Sequence, residues 1–226
     1  MARRLGRTLA AVLPVSLCPL PGPLYSVLMG YKESPVAEVR RRSARKVEEL
    51  LTEFLTEHRW CVFTLLGGFV DVVLPVPSSS RPGPPPLNGV PGLSKNVVSV
   101  LEGASCGILS PWCPTVLQRA LAPVGHLQPD RHAFEVPAWA RPMVGGSRIL
   151  LIDDTYVSGA RAQSAASALR DAGAHRVLIV PVGRVIRPDR VAEHAVFLKK
   201  SRTSRARGHR CARCVVTQSS AGAATG

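Results

Sequence analysis

Aromatic residues are scarce. Three Tyr, three Trp and five Phe are spread over 226 residues, and none alternates with basic residues in the pattern that stacks successive bases of a single strand. Acidic residues are few as well, 15 against 29 Lys and Arg, for a net charge of +14 and a pI near 10.6. Such a field favours polyanions. The excess sits at residues 3–7, 40–46 and 199–210, where solvated faces and a basic tail account for it, so nucleic-acid binding stays an alternative. Six cysteines at scattered positions lack the spacing of a secreted disulfide framework, and a chain of this length needs none. A reducing compartment, and hence a cytoplasmic location, is expected. Long hydrophobic runs are missing too. The stretch TLAAVLPVSL at residues 8–17 follows arginines as a signal peptide would. It is too short to span a bilayer, and Leu17 before Cys18 is not the small residue of a lipoprotein cleavage site. No membrane association is expected.

What is present points to one α/β domain: 46 % apolar and 19 % charged residues suit a globular chain with a real core. The densest signal is residues 148–161, RILLIDDTYVSGAR. Ile149, Leu150, Leu151 and Ile152 form a continuous apolar run, the pattern of a strand buried on both faces, and the strand is expected to end at Asp153 and Asp154. Ala162, Ala165, Ala166, Leu169 and Ala172 then recur at steps of three and four, predicting a helix from Ala160 to Ala172 with one face on the sheet. Gly173 suits its left-handed close. Residues 177–182 predict a second strand, completing a right-handed β-α-β unit. In such units ligands sit at the carboxyl ends of the strands. The turn from Thr155 to Ala160 can aim backbone N–H groups at a phosphate, helped by the helix dipole. Asp153 and Asp154 would repel that phosphate. As acceptors they suit the vicinal hydroxyls of a sugar, directly or through hydrated Mg²⁺. A ribose 5-phosphate derivative satisfies all three demands.

The run ILLIDDTYVSGA resembles the phosphoribosyl pyrophosphate (PRPP) motif of type I phosphoribosyltransferases, and within them the competence-associated, ComF-like branch, whose loop is usually written DDVxTTGAT. The resemblance implies a type I phosphoribosyltransferase-like fold, a mainly parallel sheet flanked by helices. It implies that Asp153 and Asp154 act catalytically by contacting the ribose hydroxyls. It further implies that Thr155, Tyr156, Val157, Ser158, Gly159, Ala160 and Arg161 bind PRPP, with the 5-phosphate held from Val157 through Arg161. Two positions depart from the family: Val157 stands in place of a Thr or an Asp base, and Arg161 in place of a hydroxyl. Arg161 can pair with a phosphate bidentately or fill the pocket. By the same likeness Ser78, Ser79, Ser80 and Arg81, after an apolar strand at residues 71–77, are candidates for the pyrophosphate loop. Lys32 in a GYK element is a candidate phosphate partner, with a solvated lysine as the alternative. Family members commonly begin with a cysteine-rich zinc module, so this chain is expected to be truncated or divergent at its amino terminus.

Elsewhere, Ser34-Pro35 predicts a helix start and the apolar spacing from Val36 to Leu55 carries that helix to about His58. Residues 93–101 predict a short helix and Phe134 to Val136 an edge strand. Asp130-Arg131-His132 offers a base in a loop, while Arg184 and Arg187 offer cations near an acceptor. The tail holds Cys211 and Cys214 in C-x-x-C spacing with His209 ahead, half of a tetrahedral zinc site; Cys18 or a second subunit could complete it. The expected organisation is a basic and apolar segment at 1–23, a phosphoribosyltransferase-like domain at 24–198 and a basic tail at 199–226, assembled as a homodimer. The expected activity is transfer of a 5-phosphoribosyl group from PRPP, with Mg²⁺, to a nitrogenous acceptor. The alternative in the same fold is a catalytically inactive PRPP- or nucleotide-sensing module; a further one, from the charge together with the association of the ComF-like branch with competence, is a nucleic-acid-binding accessory protein in DNA uptake.

Overall fold

The two apolar runs of the β-α-β unit lie side by side at the centre of a parallel sheet in the computed structural model, which describes residues 5, 8–77, 85–103, 111–120, 128–205 and 211, with the side chains of 197 and 200–205 excepted. In chain order the elements are β1 (Ala11–Val12), β2 (Ser16–Pro19), α1 (Pro23–Glu33), α2 (Ala37–Leu66), β3 (Val72–Pro75), a 3₁₀ turn (Pro86–Gly89), α3 (Leu93–Glu102), β4 (Gln118–Arg119), β5 (Phe134–Glu135), a second 3₁₀ turn (Ala138–Ala140), α4 (Arg141–Val144), β6 (Arg148–Tyr156), α5 (Ala160–Asp171), β7 (Arg176–Ile186) and α6 (Ala192–Arg205). Among the described residues the main sheet runs β1 and β2, both beside β7, then β6, then β3, all parallel. The short β4 and β5 pair antiparallel on their own.

A parallel sheet must be covered on both faces, and side-chain alternation divides the work. Leu150, Ile152, Leu178, Val180 and Val182 enter a core with Leu28 of α1, Val47, Leu51, Leu55 and Val62 of α2, and Val97 of α3. Ile149, Leu151, Val177 and Ile179 enter a second core with Ala162, Ala165, Ala166 and Leu169 of α5 and Val144 of α4. The strand side chains at the centre are fully buried, each contributing about 1.5–3 kcal/mol. Fold class is therefore α/β, with a central parallel sheet between helices.

Several elements differ from their sequence expectation. The strand does not stop at the acids: β6 continues through Asp153 and Asp154 to Tyr156, pairing Asp153 with Pro181 and Tyr156 with Arg184, because β7 stays alongside to accept the ladder. Residues 23–33, unassigned in sequence, form α1. Ser34 is not a helix N-cap; its N–H closes α1 on the Gly30 carbonyl and its hydroxyl accepts from the Val36 N–H. The next helix therefore begins at Ala37. That helix runs beyond His58 to Leu66, since Val62, Phe63 and Leu66 extend its buried stripe, and it ends where Gly67 turns left-handed at φ +71°. Residues 8–20, placed ahead of the domain in the sequence reading, supply β1 and β2 to its sheet. Buried Gln163 of α5 fastens them, accepting from the Ala10 N–H at 2.8 Å and donating to the Ala10 carbonyl at 3.0 Å. Likewise α6 crosses the boundary expected at residue 198. Among the described residues no helix is long and apolar enough to cross a membrane.

Candidate active site

Strand pleating decides how the acid pair is used. Neighbouring residues on a strand point to opposite faces, so Asp153 shares the face of Ile149 and Leu151 while Asp154 shares that of Leu150 and Ile152. Asp153 thereby meets the first turn of α5, where Arg161 Nη2 donates to its Oδ1 at 2.8 Å. Asp154 meets the end of α1. There the Tyr31 hydroxyl donates to Asp154 Oδ2 at 2.5 Å, and Lys32 Nζ forms an ion pair with the same oxygen. Arg161 Nη2 also lies 3.6 Å from Asp154 Oδ1, so one guanidinium bridges both acids. Gly183 of β7 lets α1 approach this closely: a Cβ there would fall 2.5 Å from Leu28 Cδ1.

Both carboxylates are buried, 3 % and 4 % exposed, which makes their charge state a contest between desolvation and the cations. For Asp153, burial outweighs the Arg161 charge and holds the carboxyl above the ordinary carboxylate range. For Asp154, burial pushes up as well, but Lys32, Arg161 and the Tyr31 hydroxyl together outweigh it and the carboxyl is held below that range. Burial, then the Asp154 charge, pushes the Tyr31 hydroxyl far up, so it remains a donor. The Asp153 charge, ahead of the opposing burial, raises Arg161, which stays a cation. Two carboxylates and two cations share one site.

After the acids the chain turns from strand to helix in three residues. Gly159 takes φ +78° as the N-cap of α5, and the Ser158 hydroxyl accepts from the Ala160 N–H at 3.2 Å. Tyr156 folds back over this turn; a Cβ on Gly159 would lie 2.1 Å from its ring and hydroxyl. The Arg184 guanidinium stacks over the same ring at 5.5 Å. A pocket of about 240 Å³ opens here, lined by Asp153, residues 155–162, and Tyr25, Met29 and Lys32 of α1. The structure thus brings Asp153, Thr155, Tyr156, Val157, Ser158, Gly159, Ala160 and Arg161 to one cavity, with Asp154 seated behind it. The Thr155 hydroxyl and Asp154 Oδ1 are buried without a hydrogen-bond partner.

Other sequence candidates fall elsewhere. Ser78, Ser79, Ser80 and Arg81 lie outside the described residues; the chain leading to them leaves β3 beside β6, with the Val76 N–H on the Ile152 carbonyl. Lys32 faces a carboxylate. Asp130 and Arg131 pack on α5, through Ser164 and Asp171, and neither they nor His132 line the pocket. Arg187 is exposed. Of the tail candidates, His209 and Cys214 lie outside the described residues, whereas Cys211 is buried and its Sγ lies within 4.8 Å of ligand atoms of both His58 and Cys61. Cys18 is not part of that group. It is a fully buried core thiol, pushed up to about 11 by its burial.

Sequence reasoning missed Tyr31, His58 and Cys61. Tyr31 had a legible signal, since Leu24, Val27, Leu28 and Tyr31 fall at helical spacing and mark one buried stripe. His58 and Cys61 sit three apart on the helix that had been expected to end at His58. No known family model matches the chain, and comparison with characterised proteins returns no match either.

Proposed function

We propose that the chain is a phosphoribosyltransferase-like protein that binds PRPP with Mg²⁺ at the β6–α5 turn and transfers its 5-phosphoribosyl group to a nitrogenous base or amine. The observation that carries this reading is the convergence on one pocket of a strand-end acid, a left-handed glycine and a helix start. The type I phosphoribosyltransferase-like fold is the setting in which such a turn at the carboxyl end of a central parallel strand would serve this purpose. Residues 158–161 offer backbone donors and a helix dipole to a 5-phosphate. Asp153 and Asp154 offer acceptors to the ribose diol. The buried Thr155 hydroxyl, which lines the pocket without a hydrogen-bond partner, fits a polar ligand in this cleft. Mg²⁺, when bound with PRPP, would neutralise charge on the pyrophosphate leaving group. As the anomeric C–O bond breaks and a C–N bond forms, the nearby carboxylates favour the positive charge that develops on the sugar. To free its acceptors the site must move Arg161 off Asp153, and a bound phosphate is the natural new partner for that guanidinium. A cytoplasmic location belongs to the same reading.

One observation favours a second reading in the same fold. Arg161 and Lys32 already satisfy the acids, as in a PRPP- or nucleotide-sensing module without turnover. Thermal shift with PRPP, with and without Mg²⁺, tests the site itself. A ligand at a hundred times its Kd adds about 2.7 kcal/mol of stability, and the shift is expected to need Mg²⁺ and to vanish in Asp154→Asn. A folded wild type with no shift overturns both readings. A shift without pyrophosphate release, across a panel of purine and pyrimidine bases, leaves the sensing module.

A further inference from the structure

We infer that His58 and Cys61 of α2 and Cys211 of the carboxyl-terminal segment hold a zinc ion. Their ligand atoms all lie within 4.8 Å of one another. Zinc with Zn–S near 2.3 Å and Zn–N near 2.0 Å sets tetrahedral ligand atoms about 3.5–3.8 Å apart, so rotation about side-chain bonds draws these three into place without moving the backbone. The pattern is also written in two sequence fragments that were too far apart to read together: HRWC at 58–61 and CARC at 211–214. On a helix, positions three apart share a face, which makes H-x-x-C on α2 a two-ligand clip. Cys211 supplies the third donor from the tail, where it opens a C-x-x-C spacing whose second cysteine lies outside the described residues.

Chemistry selects the metal. Thiolate and imidazole donors suit zinc and exclude Mg²⁺, which takes oxygen. His58 and Cys211 are 7 % and 6 % exposed, so the ion would be largely closed to solvent. Two thiolates and a neutral imidazole on Zn²⁺ leave no net charge to compensate. The consequence is mechanical. The zinc would staple Cys211 onto α2, in the core shared by Val47, Leu51 and Leu55. The site shares no residue with the β6–α5 pocket, so it stands whether or not that pocket takes PRPP.

Elemental analysis of the full chain, purified without chelator from zinc-supplemented medium, is expected to give one zinc per chain. Cys61→Ser and Cys211→Ser are expected to lose it and Cys113→Ser to keep it. Cobalt(II) in its place should show the visible bands of a tetrahedral thiolate site. Because a ligand variant can fail to fold, the wild type gives a second reading: a strong chelator should lower its Tm, and zinc but not magnesium should restore it. Zinc-free protein, full zinc content in a folded Cys61→Ser, or a Cys61–Cys211 disulfide in place of metal would each overturn the site.

Discussion

Two adjacent carboxylates at the end of a central strand would be an electrostatic liability if they faced the same way, and pleating separates them onto different partners. Their opposite shifts have opposite consequences for stability. Asp154, held low, contributes stability that is present above the ordinary carboxylate pKa of about 3.9 and is lost as pH falls through its folded value. Asp153, held high, takes up its proton more readily folded than unfolded, so its contribution is complete below about 3.9 and is lost as pH rises through its folded value. Melting temperature followed from about pH 3 to 7 is expected to lose its acid-side rise in Asp154→Asn and to lose a decline toward neutrality in Asp153→Asn. Tyr31→Phe removes one charge-assisted bond to a buried oxygen while leaving Lys32 in place, and urea titration should show a loss of about 1.5–3 kcal/mol. Arg161→Thr restores the hydroxyl of the PRPP-loop pattern and unseats the guanidinium from Asp153. It is expected to cost about 1–3 kcal/mol in stability and to strengthen Mg²⁺-dependent PRPP binding. Unchanged binding would show that the guanidinium does not obstruct the proposed PRPP site.

The β6–α5 turn depends on one backbone conformation and one ring. Gly159→Ala places a side chain at φ +78° and drives its Cβ into Tyr156, costing at least about 1–2 kcal/mol from the left-handed backbone alone. Tyr156→Ala removes the ring and the clash but not the backbone strain, so a double-mutant cycle on the pair should be strongly non-additive. The edge of the sheet has a comparable single point of attachment. Gln163→Ala strands the N–H and carbonyl of Ala10 without their partner, at roughly 2–4 kcal/mol for two buried groups. Hydrogen exchange should then accelerate across residues 10–13 while β6 keeps its protection. These attachments explain an error of segmentation. Residues 8–20 read as a leader-like stretch because β1 and β2 are short and their pairing partner, β7, lies more than a hundred residues away.

The net charge of +14 acts across the entire surface and gives a simple discrimination between ligands. DNA held by phosphate contacts should release steeply as salt rises, since log affinity falls linearly with log salt, whereas a stabilisation by PRPP should follow Mg²⁺ and change little over the same range. The order of β6, α5 and β7, their burial and the α/β class were legible because periodicity is local: four apolar residues, two acids, a small-residue turn and an alanine stripe stand within one short stretch. The place of Gly159 in the turn before the helix was legible for the same reason, while its left-handed φ came from the packing of that turn. What the acids touch was not. Tyr31 and Lys32 lie 123 and 122 residues before Asp154, and only the packing of α1 across Gly183 brings them to it. Nor could spacing show that Arg161 turns back to Asp153, a choice made by burial and charge once the helix is docked. The same holds for His58, Cys61 and Cys211: each half of the donor set is a local pattern, but their meeting is a product of chain return, because proximity between distant residues is set by how the layers pack rather than by any period in the sequence.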